Sequence, residues 1–164
     1  MGTTEITAAA GTPFIDIVRE VKAPRELVYR AHTDPNLIVK WLGPRRFRMT
    51  VERWEPVDGG AWHFTHHDTD GSAFGFHGVF HGTPSADGML QTFEFEGAPG
   101  HVSLDKLTLE DQGDRTIVRI HSVYQSVEAR DAMVENGMGS GVSEGYDRLD
   151  ELVAGDAARV GALA

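Results

Sequence analysis

Residues 61–82 read AWHFTHHDTDGSAFGFHGVFHG, two runs with aromatic side chains at alternate positions, joined through Asp68-Thr69-Asp70-Gly71. Alternation with a period of two marks a strand with one buried face, and an Asp-Gly turn between two such runs marks an antiparallel hairpin. One register gathers Trp62, Phe64, Phe74, Phe76 and Phe80 on a common face, with Trp62 opposite Gly78 and Phe64 opposite Phe76. That register also sets His63 opposite His77 on the other face. Slipping it by one residue would turn every aromatic outward, so it is strongly specified.

Working outward from the hairpin, the same alternation predicts strands over 48–55, 61–67, 73–82, 90–96, 101–110 and 115–124. They are separated by Asp58-Gly59-Gly60, Asp70-Gly71, Asp87-Gly88, Ala98-Pro99-Gly100 and Gln112-Gly113-Asp114. Such short links imply an antiparallel meander. Within 101–110 the apolar parity changes between Val102/Leu104 and Leu107/Leu109, which predicts a bulge near Asp105 or Lys106. A further strand over 14–22 precedes the meander. Between the two, Pro24 starts a short helix through Leu27, Val28 and Ala31, and Asp34-Pro35 caps a second that ends at Gly43-Pro44.

After the meander, Val134, Met138, Val142, Leu149, Leu152 and Val153 recur at helical steps, with Tyr146 beside the stripe. Gly137, Gly139, Gly141 and Gly145 weaken this helix, each by up to about 1 kcal/mol relative to alanine. The expectation is a short helix over 127–135, a break at Asn136-Gly137 and a main helix beyond, with the missing side chains leaving room beside it. Segments 1–13 and 155–164 lack periodicity and are expected to be a disordered N-terminal segment and a flexible tail around one domain, 14–154.

The 164 residues, 40% hydrophobic and 24% charged, suit one domain that needs no disulfide or metal staple. Cysteine is absent from the sequence, which excludes disulfides, a thiolate nucleophile and cysteine-ligated metal. The formal charge of -10 disfavours nucleic-acid backbones and anionic lipid surfaces. With no basic leader or long apolar run, the expected setting is the cytoplasm, without membrane attachment.

Several motifs have a plainer reading. Gly141-Val142-Ser143-Glu144-Gly145 fits the G-x-S-x-G form of hydrolases, but it lies in the helical stripe and no histidine follows His121. Asp68-Thr69-Asp70-Gly71 imitates the start of a calcium loop without the closing glutamate, so a hairpin turn accounts for it. The facing His63 and His77 would need a third ligand to hold a metal, and no compact motif supplies one. Arg45, Arg46, Arg48 and Arg53 form a basic cluster that is read as a solvated loop and strand start.

The order strand, two small helices, meander and long helix resembles the START-like superfamily, also called SRPBCC or Bet v 1-like. Its nearest branch is that named for the activator of the 90-kDa heat-shock protein's ATPase. The resemblance rests on Ala23-Pro24, Leu27-Val28-Tyr29-Arg30-Ala31, Thr33-Asp34-Pro35, Lys40-Trp41-Leu42-Gly43-Pro44, Gly59-Gly60, Gly137-Met138 and Leu149-Asp150-Glu151-Leu152. It implies an α+β helix-grip fold, a curved antiparallel sheet around the C-terminal helix.

It also implies a cavity between sheet and helix that binds a small hydrophobic or amphipathic molecule. The residues expected to line it are Trp41, Trp54, Trp62, Phe64, Phe76, Phe80, Phe93, Phe95, Met138, Val142 and Tyr146, with His121, Tyr124 and Ser143 as polar contacts. No catalytic residue, metal or cofactor is assigned. Two other classes stand beside this reading: an enzyme resembling polyketide cyclases, using pocket His, Tyr or acid groups, and a protein-interaction or chaperone-assisting module. The chain has no room for the second, chaperone-binding domain of eukaryotic activators, so a chaperone partner is not expected. A homodimer is left open.

Overall fold

The computed structural model describes residues 2–163, and side chains over 2–155. Its core is an eight-stranded, wholly antiparallel sheet in the order β1-β2-β8-β7-β6-β5-β4-β3. The strands are β1 (Thr4–Thr7), β2 (Phe14–Val21), β3 (Arg48–Trp54), β4 (Ala61–His67), β5 (Ala73–Ser85), β6 (Gly88–Phe95), β7 (Val102–Asp111) and β8 (Thr116–Val123). Helices α1 (Arg25–Thr33) and α2 (Pro35–Ile38) follow β2, and α3 (Val127–Glu135) and α4 (Met138–Leu163) follow β8.

The local signals act as the sequence leads one to expect. Asp34 caps α2, its carboxylate accepting from the Asn36 N–H with Pro35 in the first turn. Gly137, at φ +78, separates α3 from α4 in a conformation that favours glycine. The β4–β5 register is Trp62↔Gly78, His63↔His77 and Phe64↔Phe76, as the aromatic alternation requires. Gly141 to Gly145 lie inside α4, and Asp68 to Gly71 close the β4–β5 hairpin, where the Asp70 carboxylate accepts from the Ser72 N–H.

Three expectations are corrected. Segment 1–13 holds strand β1, an edge strand in which Ile6 is the apolar residue, so its pairing with β2 leaves little periodicity to read. No bulge interrupts β7: its pairing with β6 and β8 runs unbroken through Asp105 and Lys106, and Leu104 points outward, 41% exposed. The register shifts fall instead between Val51 and Arg53 in β3 and between His81 and Ser85 in β5. α4 also runs past Val153 to Leu163, and the tail expected over 155–164 lies almost wholly outside the described side chains.

The core is the concave face. Val21, Trp62, Phe64, Phe80, Leu107, Leu109 and Val118 of the sheet pack against Val28, Ala31, Ile38, Trp41, Tyr146, Leu149 and Val153. α4 lies over β1, β2 and α1, while α1 packs on β7. An ion triad built on a buried arginine fastens α4 to this end of the sheet. Arg19, 1% exposed, donates to Asp150 at 2.6 Å and Asp147 at 2.9 Å, and to Thr4 Oγ1 at 2.7 Å.

Candidate functional site

Beside α4, the concave face over β5 to β8 is less completely covered. β6 is flanked by β5 and β7, so its backbone is paired on both sides, yet its inward Met89, Gln91, Phe93 and Phe95 are all only partly buried. Their neighbours Phe76, Ile120 and Tyr124 are partly buried as well. A central strand leaves its inward side chains partly exposed where its cover is thin, so this stretch of the concave face, the trough, is less closely covered than the core under α4. Its floor is aromatic: the Phe76 ring centroid lies 5.1 Å from Phe64, 5.4 Å from Phe93 and 5.1 Å from Phe95, and Trp62 lies 5.6 Å from Phe93.

The trough is polar at one end. With no bulge in β7, Ser103 and Asp105 face inward, and the register aligns Gln91, Asp105 and Ser122 across β6, β7 and β8. Ser103 Oγ donates to Asp105 Oδ1 at 3.0 Å, and the Ser122 hydroxyl is a second partner. Burial raises the Asp105 pKa above the ordinary aspartate value, against the opposing pull of the two serines. Tyr124 is raised too, first by burial and then by the nearby Asp105 carboxylate.

Two further polar atoms on the concave face, Trp62 Nε1 and His66 Nε2, are buried without a hydrogen-bond partner. His66 stacks on Phe47 at 5.4 Å and is held neutral, its pKa lowered to about 4 chiefly by burial. An unpartnered buried polar atom costs roughly 1–3 kcal/mol.

The expected lining residues divide into three groups. Phe76, Phe93, Phe95 and Tyr124 border the trough, with Trp62 and Phe64 at its floor. Phe80, Trp41 and Tyr146 belong to the sealed core: Trp41 Nε1 donates to the Ala31 carbonyl, and Tyr146 Oη lies 3.3 Å from His32 Nε2. Trp54, at the β3 edge, donates to the Thr33 carbonyl, and Met138 and Val142 are partly buried on α4. His121 does not face inward. It lies on the convex face, 2.6 Å from Asp16, because Val118, Ile120 and Ser122 take the inward positions of β8. Sequence reasoning missed Gln91, Ser103, Asp105, Ser122 and His66, although counting back by twos from Leu109 and Leu107 reaches Asp105.

The glycines of α4 are not the walls of a cavity. A Cβ on Gly145 would lie 3.1 Å from the Gly43 nitrogen, one on Gly141 would lie 3.5 Å from Pro44, and one on Gly139 would lie 3.2 Å from Ile6. They let α4 approach the α2–β3 loop and β1 closely.

On the convex face, His63 and His77 share Glu96, at 3.0 and 3.3 Å, and Glu94 reaches His77 at 3.2 Å. Hydrogen bonds from the two imidazoles hold the Glu96 carboxyl below its usual pKa range. Among the described residues, no set of three or more side chains is arranged to hold a metal ion. A cleft of about 570 Å³ adjoins this group, lined by His63, Thr65, Phe74, Gly75, Phe95 and Glu96 among others, so Phe95 borders this cleft as well as the concave face. Three of the four arginines of the cluster are engaged in ion pairs: Arg45 with Glu151, Arg46 with Asp68 and Arg53 with Glu55. No helix among the described residues is long and apolar enough to cross a membrane.

Comparison with known proteins agrees with this architecture. Among solved structures, the chain is similar to a Rhodobacter sphaeroides protein at 25% identity, covering 93% of this chain and 99% of that one with a TM-score of 0.85. It is also similar to an Arthrobacter aurescens protein at 25% identity, covering 92% and 91% with a TM-score of 0.84. A Mycobacterium smegmatis protein shares the fold at 20% identity, covering 93% and 96% with a TM-score of 0.82. No curated protein matches the chain by sequence. The family model described as Activator of Hsp90 ATPase homolog 1-like protein matches residues 22–154, from the end of β2 into α4, and the chain belongs to that family.

Proposed function

We propose that this protein binds a small amphipathic molecule in the concave trough, its apolar body against Phe76, Phe93 and Phe95 and its polar end toward Asp105 and Tyr124. The observation that carries this reading is the partial exposure of every inward side chain of β6, a strand paired on both sides. An aromatic floor with a few convergent polar groups suits such a guest. Native mass spectrometry of freshly purified protein, followed by titration with an apolar fluorescent dye, tests it. Support would be a co-purifying small-molecule adduct, or dye uptake that Phe93→Ala weakens. Neither adduct nor uptake would overturn the reading.

One observation favours a second reading. A buried carboxyl with a raised pKa beside a tyrosine suits proton transfer, as the enzyme resembling polyketide cyclases would require. Chemical turnover of the co-purified molecule, lost in Asp105→Asn, would select that reading over simple binding.

A further inference from the structure

The inward row Gln91, Asp105, Ser122 holds a carboxyl with no cationic partner. Lys106, its chain neighbour, points to the opposite face, and Arg19 is already engaged by Asp147 and Asp150. Among the described residues, no lysine, arginine or histidine hydrogen-bonds or ion-pairs with Asp105; its partners are Ser103 Oγ at 3.0 Å and the Ser122 hydroxyl. A carboxylate can accept about four hydrogen bonds, and two hydroxyls leave it short. A buried charge is usually paired, so an unpaired carboxyl that retains access to the trough is a site of unmet attraction for a cation.

Its surroundings fit an ammonium group. Phe93 lies opposite Ser103 in the register, diagonal to Asp105 across the β6–β7 pair, and Tyr124 is close enough for the Asp105 charge to raise its pKa. Ring faces attract cations, and the phenol and the Gln91 amide oxygen add acceptors for N–H donors. From that side the trough continues over Phe93 to Phe76 and Phe95, an apolar track for a hydrocarbon or aromatic body.

We propose that the preferred guest of the trough is a cationic amphipath, a primary amine on an apolar body, with its ammonium on Asp105 and its body on Phe93 and Phe76. This rests on the trough being a binding site at all, and the experiment separates the two claims. Decylamine, decanol and decanoate share one tail and differ in head group. Titrated calorimetrically into the full-length chain at neutral pH, decylamine should bind about tenfold more tightly than decanol, and decanoate more weakly than either. Asp105→Asn should remove the advantage of decylamine over decanol, bringing the two to comparable affinity.

Comparable affinities for all three in the unsubstituted protein would overturn the amine proposal while leaving the trough intact. Decylamine preference that survives Asp105→Asn would also overturn it. Binding of none of the three would remove the trough reading, and this proposal with it. Should Asp105→Asn fail to fold, the head-group ranking in the unsubstituted protein decides alone.

Discussion

Gly141→Ala and Gly145→Ala lie about one turn apart on α4, and the structure gives them opposite signs. A Cβ at 141 would meet Pro44 Cγ at 3.5 Å and Cδ at 3.7 Å, ordinary van der Waals distances. That substitution keeps the helix-propensity gain of about 1 kcal/mol, which raises Tm by roughly 2–4 °C in a domain of this size. A Cβ at 145 would lie 3.1 Å from the Gly43 nitrogen and 3.4 Å from the Trp41 carbonyl oxygen, so the loop would have to retreat.

It is held on both sides. Arg148 donates to the Gly43 and Lys40 carbonyls at 2.9 Å, and the His66 imidazole packs beneath Gly43, whose own Cβ would lie 2.5 Å from His66 Cε1. Overpacking of about 1–3 kcal/mol then matches or exceeds the propensity gain, and Tm should hold or fall by several degrees. Differential scanning calorimetry of the two variants and the parent measures both signs in one series. If Gly145→Ala stabilises as much as Gly141→Ala, the loop yields freely and the account of α4 clamped against residues 41–44 is wrong.

Other outcomes follow from the same structure. His32 and His66 have folded pKa values of about 4, against an ordinary 6.5, mainly because both are buried. The unfolded chain therefore binds more protons, and their contribution, complete above about pH 6.5, is lost as pH falls toward 4, at up to about 1.4 kcal/mol per pH unit for each histidine. Asp105, with its raised pKa, has the opposite sign, so Asp105→Asn should steepen the acid loss of Tm, and a flat profile between pH 6.5 and 4.5 in that variant would contradict the burial of both imidazoles. Arg19→Met strands Asp150, and the more solvated Asp147 beside it, and should cost about 2–4 kcal/mol in urea unfolding, whereas adding Asp147→Asn and Asp150→Asn should recover much of it. On the convex face, His63→Ala removes a partly exposed pair with Glu96 and should cost less than about 1 kcal/mol.

The parts of the fold legible in the sequence were those where side-chain size or backbone conformation leaves one solution. Trp62, Phe64, Phe76 and Phe80 cannot all turn outward, so their spacing sets the β4–β5 register; Asn136-Gly137 breaks the helix because Gly137 takes a positive φ. The candidate site was harder to read, for a physical reason. Assigning apolar residues to the inside makes Val102 and Leu104 inward and forces a bulge, whereas β7 keeps its register and turns Leu104 to solvent so that Ser103 and Asp105 face in. Inward polar residues such as Ser103 and Asp105 break the apolar-inside rule, so pattern reading fails at such positions first. His121 was misplaced by chemistry rather than by pattern. As a polar residue near Tyr124 it invited a ligand role, although the parity of Val118 and Ile120 already turns it away.

Within the eight-stranded sheet, β3 to β8 each pair with their neighbours in sequence, while β2 reaches β8 across roughly a hundred residues. Most of the sheet's loop-closure entropy therefore falls on that one seam. The hairpins of β4 to β7, which include the aromatic floor on β4 to β6, can zip and hold without it. β1 and α4 both lean on β2, and Arg19 ties them together, so opening the β2–β8 seam would release all three as one unit. Amide hydrogens of β1 and β2 should then exchange ahead of those in β5 and β6. The same partial opening would uncover the trough from the α4 side while leaving its aromatic floor in place, giving a bulky guest a route in that does not require global unfolding.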